Sequence, residues 1–163
     1  MKRSNLLLTC LALAVVSMMS FVGPAAAGDQ VPLTGSFDGQ SVQTPNPPLV
    51  HDEITAAGHA SHLGQFGMVI SATVDPVART GSGIIVLVAA NGDTLTGTLA
   101  GASSPSPTPG VIMIVEQVTI TGGTGRFADA TGSFTIERLF DRTTGAVTGT
   151  IEGSISSVGS SKH

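Results

Sequence analysis

Two runs in the second half of the chain alternate apolar and polar side chains, and they constrain the fold more than any other feature. In VIMIVEQVTIT, residues 111–121, the apolar side chains at even positions share one face with Glu116. In SFTIERLF, residues 133–140, the even positions again share one face, this time with Arg138. A period of two is that of a β-strand with one buried face. Each run therefore predicts a strand with a single charged residue on its buried face.

The loop GGTGRFADATG joins these two runs and predicts an antiparallel hairpin centred on Phe127. In that register the facing pairs are Ile120 with Phe134, Val118 with Ile136, Glu116 with Arg138, and Ile114 with Phe140. Apolar side chains then face apolar ones, and the acid faces the base. A slip of one residue would turn every side chain to the other face of the sheet, so the match constrains the register.

The second run leads through a short loop ending at Gly145 into another strand, and glycine supplies the positive φ that such a loop needs. The predicted pairs are Phe140 with Val147, Arg138 with Gly149, Ile136 with Ile151, and Phe134 with Gly153. Bulky residues thus face small ones, as in the interior of a tightly curved sheet. Together the two hairpins predict that Glu116, Arg138 and Gly149 lie side by side on three strands.

Turn residues divide the whole chain in the same way and predict eight strands, at about 32–38, 49–57, 63–75, 82–90, 93–101, 111–121, 132–141 and 146–157. Asn91 and Gly92 predict a two-residue type I′ turn that pairs Val88 with Leu95. Closely spaced prolines predict loops at 43–48 and 102–110. The pattern favours an all-β fold, an antiparallel eight-stranded up-and-down barrel, with a two-sheet β-sandwich as the alternative.

The N-terminal 27 residues have the pattern of a secretory signal peptide. Lys2 and Arg3 precede an apolar run, and three alanines precede Gly28. The predicted organisation is a signal peptide over 1–27, a β-barrel domain over 28–157 and a disordered tail over 158–163. We therefore expect an exported protein, periplasmic or extracellular, that does not span a membrane after cleavage; an uncleaved anchor is the alternative reading.

Composition excludes several classes of function for the chain after Gly28. The only cysteine of the sequence, Cys10, lies in the predicted signal, so we expect neither disulfides nor thiol chemistry in the rest of the chain. Eleven acidic residues stand against five basic ones once Lys2 and Arg3 are removed, which argues against a nucleic-acid partner. Tryptophan and tyrosine are absent, so the aromatic girdles of an outer-membrane barrel are missing.

The steps HLGQF, residues 62–66, and GTGRFADATG, residues 123–132, resemble a group of exported bacterial proteins with the allene oxide cyclase-like barrel, the fold shared with plant dirigent proteins. The resemblance extends from about Gly58 to Gly153. It implies a small barrel with a lumen open at one end, often trimeric in the plant relatives, so a homo-oligomer is expected. The plant cyclase uses a cysteine that this part of the chain lacks, and no catalytic residue is carried over.

Three groups of residues are candidates for chemistry. Glu116 and Arg138 either form a buried ion pair that holds the register or line a lumen and orient a ligand. His51, His59 and His62, with Asp52 and Glu53 beside them, are weak candidates for metal ligands, since HxxH outside a helix does not share a face. Arg126 and Asp129 are expected to pair within their loop.

Two hypotheses of function follow from these residues. The first is a non-catalytic binding or structural module for a small apolar molecule or a protein partner. The second is an isomerase or cyclase that acts on a hydrophobic substrate inside the lumen. No GxSxG elbow is present, which argues against a nucleophilic enzyme, and the GTG step opens no predicted helix, which argues against a phosphate site. We expect no cofactor. A lumen filled with apolar side chains favours a structural role, whereas a cavity beside Glu116 and Arg138 favours a ligand.

Overall fold

Eight antiparallel strands close into a barrel in the computed structural model, which describes residues 29–156. The strands are β1 Gln30–Asn46, β2 Leu49–Ala60, β3 Gly64–Asp75, β4 Thr80–Ala89, β5 Thr94–Pro105, β6 Val111–Gly123, β7 Gly132–Asp141 and β8 Ala146–Ser156. The predicted signal peptide and the predicted tail lie outside the described residues. Within residues 29–156, no helix has the length and apolar character needed to cross a membrane.

Closure of the barrel depends on β1, which pairs with β2 along one side and with β8 along the other. Every strand therefore has two hydrogen-bonded neighbours, in sequence order around the barrel. This confirms the up-and-down barrel and excludes the two-sheet sandwich. Closure also removes the free strand edges that an open sheet would expose.

The two segments predicted as loops, 43–48 and 102–110, are strand in their first part and loop only at 47–48 and 106–110. β1 continues through Pro45 to Asn46, and β5 continues to Pro105. Four residues before Pro45, Ser41 donates its N–H toward β8, to the carbonyl of Gly145. Two residues before Pro105, Ser103 donates its N–H toward β4, to the carbonyl of Arg79. Pro45 and Pro105 face the same neighbouring strands as these serines, but at their positions β8 and β4 have already ended. A missing donor at these positions therefore costs no ladder hydrogen bond.

The predicted hairpin registers have three different outcomes. The β7–β8 register is confirmed, with Arg138 opposite Gly149. The β6–β7 register is wrong by two residues, because Ile114 and not Glu116 lies opposite Arg138. The long loop permits several registers of one parity, and in the structure part of it forms the 3-10 turn Gly125–Phe127. Glu116, Arg138 and Gly149 are consequently not on one row across the three strands.

The β4–β5 register is wrong by one residue, and this exchanges the two faces of β4. Ala89 donates its N–H to the carbonyl of Asp93, and Gly92 has a φ of 87°. The loop therefore has three residues, with glycine in the left-handed position, and not two. Leu87 lies opposite Leu95 and is buried, whereas Val88 is on the exposed face.

The inward side chains form one continuous core, and the two ends of the barrel differ. The β2–β3, β4–β5 and β6–β7 loops meet at what we call the closed end, where Phe127, the last residue of the 3-10 turn, is fully buried. The β1–β2, β3–β4, β5–β6 and β7–β8 loops meet at the opposite, mouth end. The charged residues of the interior lie toward the mouth.

Candidate functional site

A charged layer crosses the barrel interior below the mouth and consists of Asp52, Glu116 and Arg138, with Ser41 beside them. Arg138 donates from Nε to Glu116 Oε2 at 2.9 Å and from Nη2 to Glu116 Oε1 at 3.0 Å. Arg138 Nη2 also lies 3.7 Å from Asp52 Oδ2. Ser41 Oγ donates to Asp52 Oδ1 at 2.5 Å. All four residues are buried, and the three charged ones are at most 5% exposed.

The Glu116–Arg138 contact is diagonal across the β6–β7 ladder. Glu116 lies opposite Ile136, two positions from Arg138 along β7. Both side chains still point inward, because a shift of two residues preserves the face. The long arginine side chain spans the diagonal and makes a bidentate contact, which is the strong geometry for a guanidinium and a carboxylate. The prediction that these two residues meet in the interior is correct, although the predicted register is not.

Glycine on the neighbouring strands makes room for this pair. Gly149 lies opposite Arg138, and a Cβ on it would stand 2.6 Å from Cζ of Phe37 and 2.9 Å from Cβ of Arg138. Gly101 lies opposite Glu116, and a Cβ there would stand 2.6 Å from Cγ of Glu116. Larger residues at either position would displace the charged side chains. The two glycines therefore leave the space that the side chains of Arg138 and Glu116 occupy.

Asp52 is the member of the layer that sequence reasoning missed. The sequence places Asp52 beside the histidine candidates for a metal site, but His51 and His59 lie on the opposite face of β2. The signal was present in VHDEITA, residues 50–56, where Val50, Asp52, Ile54 and Ala56 alternate with polar residues. Asp52 occupies an inward position of a strand and therefore resembles Glu116 and Arg138 in its placement.

A groove opens at the mouth above this layer. Its walls include the apolar side chains Val50, Val74, Ile112 and Phe140, and its volume is about 400 Å³. The proline-containing β5–β6 loop forms one side, and the exposed Arg79 and Arg142 lie at the rim. We call this space the mouth groove.

Below the mouth groove lies a smaller space of about 50 Å³, the inner cavity, which is bordered by Asp52, Glu116 and Arg138. Val74, Ile112 and Arg79 line both spaces, so the groove and the cavity adjoin each other along one wall. Among the described residues, Arg138 Nη1 is buried and has no hydrogen-bond partner. The site thus combines an apolar entrance with a buried polar floor whose donors are not all used.

Asp141 stands at the mouth end of β7 and has a structural task in the β7–β8 loop. Its Oδ1 accepts from the N–H of Thr143 at 2.7 Å and of Thr144 at 3.3 Å. The hydrogen bond from the Thr143 backbone, the largest cause, holds the pKa of Asp141 below its ordinary value of 3.8. This carboxylate orders the loop next to Arg142 and does not enter the groove.

The histidine candidates do not come together. His51 and His59 lie on the outer face of β2, eight residues apart, which is a separation of about 26 Å along a strand. His62 is exposed in the β2–β3 turn with a φ of 64°. Within residues 29–156, no group of three histidine, cysteine or acidic side chains is placed to hold a metal ion.

The GTGRF step has its contacts at the closed end. Arg126 pairs with Asp93 of the β4–β5 loop, at 3.7 Å from its Nε, and not with Asp129 as predicted. The Asp93 carboxylate also accepts from the backbone N–H of Arg126 and from the amide of Asn91. Gly125 has a φ of 56°, and a Cβ there would collide with that carboxylate. The step therefore clasps two loops over Phe127, away from the mouth.

Comparisons with known proteins place the fold. Neither a known protein family nor a curated protein matches the chain. Among solved structures, the chain is similar to that of the pterocarpan synthase dirigent protein GePTS1, with a TM-score of 0.57. The two are 16% identical, and the match covers 89% of this chain and 99% of the other. The chain has the dirigent-like barrel fold, as the resemblance of its glycine-rich steps implied.

Proposed function

We propose that the protein binds a small, largely apolar molecule in the mouth groove, without changing it chemically. The observation that carries the proposal is that the apolar mouth groove adjoins a polar inner cavity bordered by Arg138. The groove has the volume of a small-molecule site, and apolar walls with a few convergent polar groups are typical of such sites.

The distribution of packing along the barrel supports this choice over a purely structural role. From the charged layer to the closed end, the interior is filled by apolar side chains such as Ile54, Ile136 and Phe127, each fully buried. Toward the mouth, Val50, Val74 and Ile112 are only half-buried and face the groove. A barrel that served only as a scaffold would gain stability by filling this end as well.

A lumen enzyme is the second candidate, an isomerase or cyclase for a hydrophobic substrate. Two buried carboxylates, Asp52 and Glu116, border the inner cavity, and carboxylates are common general acids and bases. The dirigent protein of similar fold is described as a pterocarpan synthase. Binding is favoured here because both carboxylates are already engaged, Glu116 by Arg138 and Asp52 by Ser41.

Blocking the groove tests the proposal. Val74→Phe places a larger side chain at the wall that the groove and the cavity share. Val69→Phe is the matched control, because the same change on the same strand falls on the outer face, where Val69 is 43% exposed. Native mass spectrometry of protein purified from its own source should detect a bound small molecule in the wild type and in Val69→Phe only. Equal occupancy in Val74→Phe would contradict the proposed site, and the same spectra give the number of subunits.

Export is part of the proposal, since it would set which molecules the groove meets. It is supported by the pattern of Lys2, Arg3 and the three alanines before Gly28. N-terminal sequencing of the protein recovered outside the cytoplasm should begin at Gly28. A chain that still begins at Met1 would contradict cleavage.

A further inference from the structure

We propose that the ligand of the mouth groove is an uncharged molecule whose single polar end, a carbonyl or hydroxyl oxygen, accepts a hydrogen bond from Arg138. This inference rests on the proposed function and names the class of molecule that the site would hold. Its starting observation is that Arg138 is buried, borders the inner cavity and has an Nη1 group without a partner among the described residues.

The hydrogen-bonding capacity of the guanidinium supports an acceptor on the ligand. Arginine has five N–H donors, and Glu116 takes two of them, from Nε and Nη2. Asp52, at 3.7 Å from Nη2, is within ion-pair distance but beyond a good hydrogen bond. Nη1 itself is closed to a water-sized group in this structure, so a ligand oxygen reaches it only if the side chains around it shift. Because a buried donor without an acceptor is costly, the new bond would favour that shift.

The charge balance of the layer argues against an anionic ligand. The single guanidinium of Arg138 faces two carboxylates, those of Asp52 and Glu116. A ligand carboxylate would add a third negative group to a buried space that already holds an excess of them, and the cost of burying it would not be compensated. The opposing influence is Arg79, which also lines the inner cavity but is exposed, so its charge is screened by water. A neutral oxygen avoids this conflict.

The sizes of the two spaces divide the ligand into an end and a body. The inner cavity of about 50 Å³ has room for about three to five water-sized groups, enough for one small polar end. The mouth groove of about 400 Å³ would take an apolar body of one or two rings against Val74, Ile112 and Phe140. The expected ligand is thus an apolar ring system or short chain with one oxygen function at its tip.

Three probes of similar shape test this inference on the wild-type protein: acetylnaphthalene, ethylnaphthalene and naphthoate. They carry a carbonyl, no polar group and a carboxylate, and their affinities can be compared by calorimetric titration. We expect the ketone to bind about tenfold more tightly than the hydrocarbon, the size of effect for one hydrogen bond to a charged group, and the carboxylate to bind least. With a carbon-13 label in its carbonyl, the bound ketone should show the downfield shift of a hydrogen-bonded carbonyl carbon.

The outcomes separate this inference from the proposed function. Equal affinities for ketone and hydrocarbon, or an unshifted carbonyl carbon, would overturn the role of Arg138 and leave an apolar groove in place. Tightest binding of naphthoate would overturn it too, and would assign recognition to Arg79 and Arg142 at the rim. If none of the three binds, both the inference and the proposed groove are wrong.

A variant adds a second measurement on the same probes. Arg138→Met combined with Glu116→Leu and Asp52→Asn removes the donor without leaving a buried charge. The preference for the ketone over the hydrocarbon should disappear, while the hydrocarbon still binds. A ketone preference that persists in this variant would refute Arg138 as the donor. If the variant does not fold, the wild-type probe series decides alone.

Discussion

Removing one member of the charged layer should destabilise the barrel strongly, and Glu116→Ala is the cleanest change. Glu116 is 5% exposed and takes both of the short hydrogen bonds that Arg138 makes. Its loss leaves a guanidinium that is 3% exposed without its main partner. Breaking a buried pair in this way costs about 3–5 kcal/mol. Asp52 remains near Nη2, so we expect a value of about 3 kcal/mol, at the lower end of that range.

The third charge makes a further result specific to this layer. Replacing a buried ion pair by apolar residues of similar volume is often neutral, so Glu116→Leu with Arg138→Met would be harmless if the pair stood alone. Here the double variant should still be destabilised, because Asp52 then becomes a buried carboxylate with only Ser41 as a partner. Adding Asp52→Asn should restore most of the stability, since an amide oxygen can still accept from Ser41 Oγ.

Urea unfolding followed by far-ultraviolet circular dichroism measures these effects, because the chain has no tryptophan or tyrosine for fluorescence. Glu137→Ala is the matched control, an acid on the outer face of the same sheet, next to Arg138 in sequence and exposed. It should change the unfolding free energy by no more than about 0.5 kcal/mol. The reasoning is refuted if Glu116→Ala is as mild as this control, or if Asp52→Asn does not rescue the double variant.

Three further changes test other parts of the structure. Gly149→Ala should cost about 1–3 kcal/mol in urea unfolding through overpacking against Arg138, whereas Gly67→Ala, which would meet nothing within 4 Å, should be nearly neutral; similar costs would contradict the packing. Asp93→Ala should cost about 1–2 kcal/mol by releasing the loop clasp, and an unchanged melting temperature would show that the clasp is not needed. Asp141 has a pKa lowered in the folded state, so its contribution to stability is present above its ordinary value of 3.8 and is lost as the pH falls through the lowered pKa. Asp141→Asn should therefore flatten the acid limb of the stability curve, and an identical acid limb would contradict the assignment.

The hairpins show how far local sequence can predict register. The β7–β8 loop is short and ends at Gly145, so the predicted pairs are those observed. The β4–β5 loop was predicted one residue too short, since Asn-Gly fits both a two-residue turn and a longer loop with Gly92 in the left-handed position. The β6–β7 loop is long enough for several registers with the same faces, and its contacts with Asp93 lie in another hairpin. The sequence of the β6–β7 hairpin alone cannot predict that contact, and so it does not fix the register.

Alternation along each strand determined much of this protein without reference to the fold. It predicted eight antiparallel strands, their parity on most strands, and an interior position for both Glu116 and Arg138, because a period of two places side chains on opposite faces wherever a strand forms. It also contained the signal for Asp52, which follows the same rule on β2.

Only the tertiary structure decided how these residues meet. Closure by β1 and β8 brings β2 across the interior from β7, so Asp52 reaches an arginine 86 positions later in the chain. The unequal filling of the two ends likewise depends on the 3-10 turn that packs Phe127 into one of them and leaves the other open. Strand periodicity sets the face of each side chain, but contacts across a closed barrel depend on the shear and closure of all eight strands together.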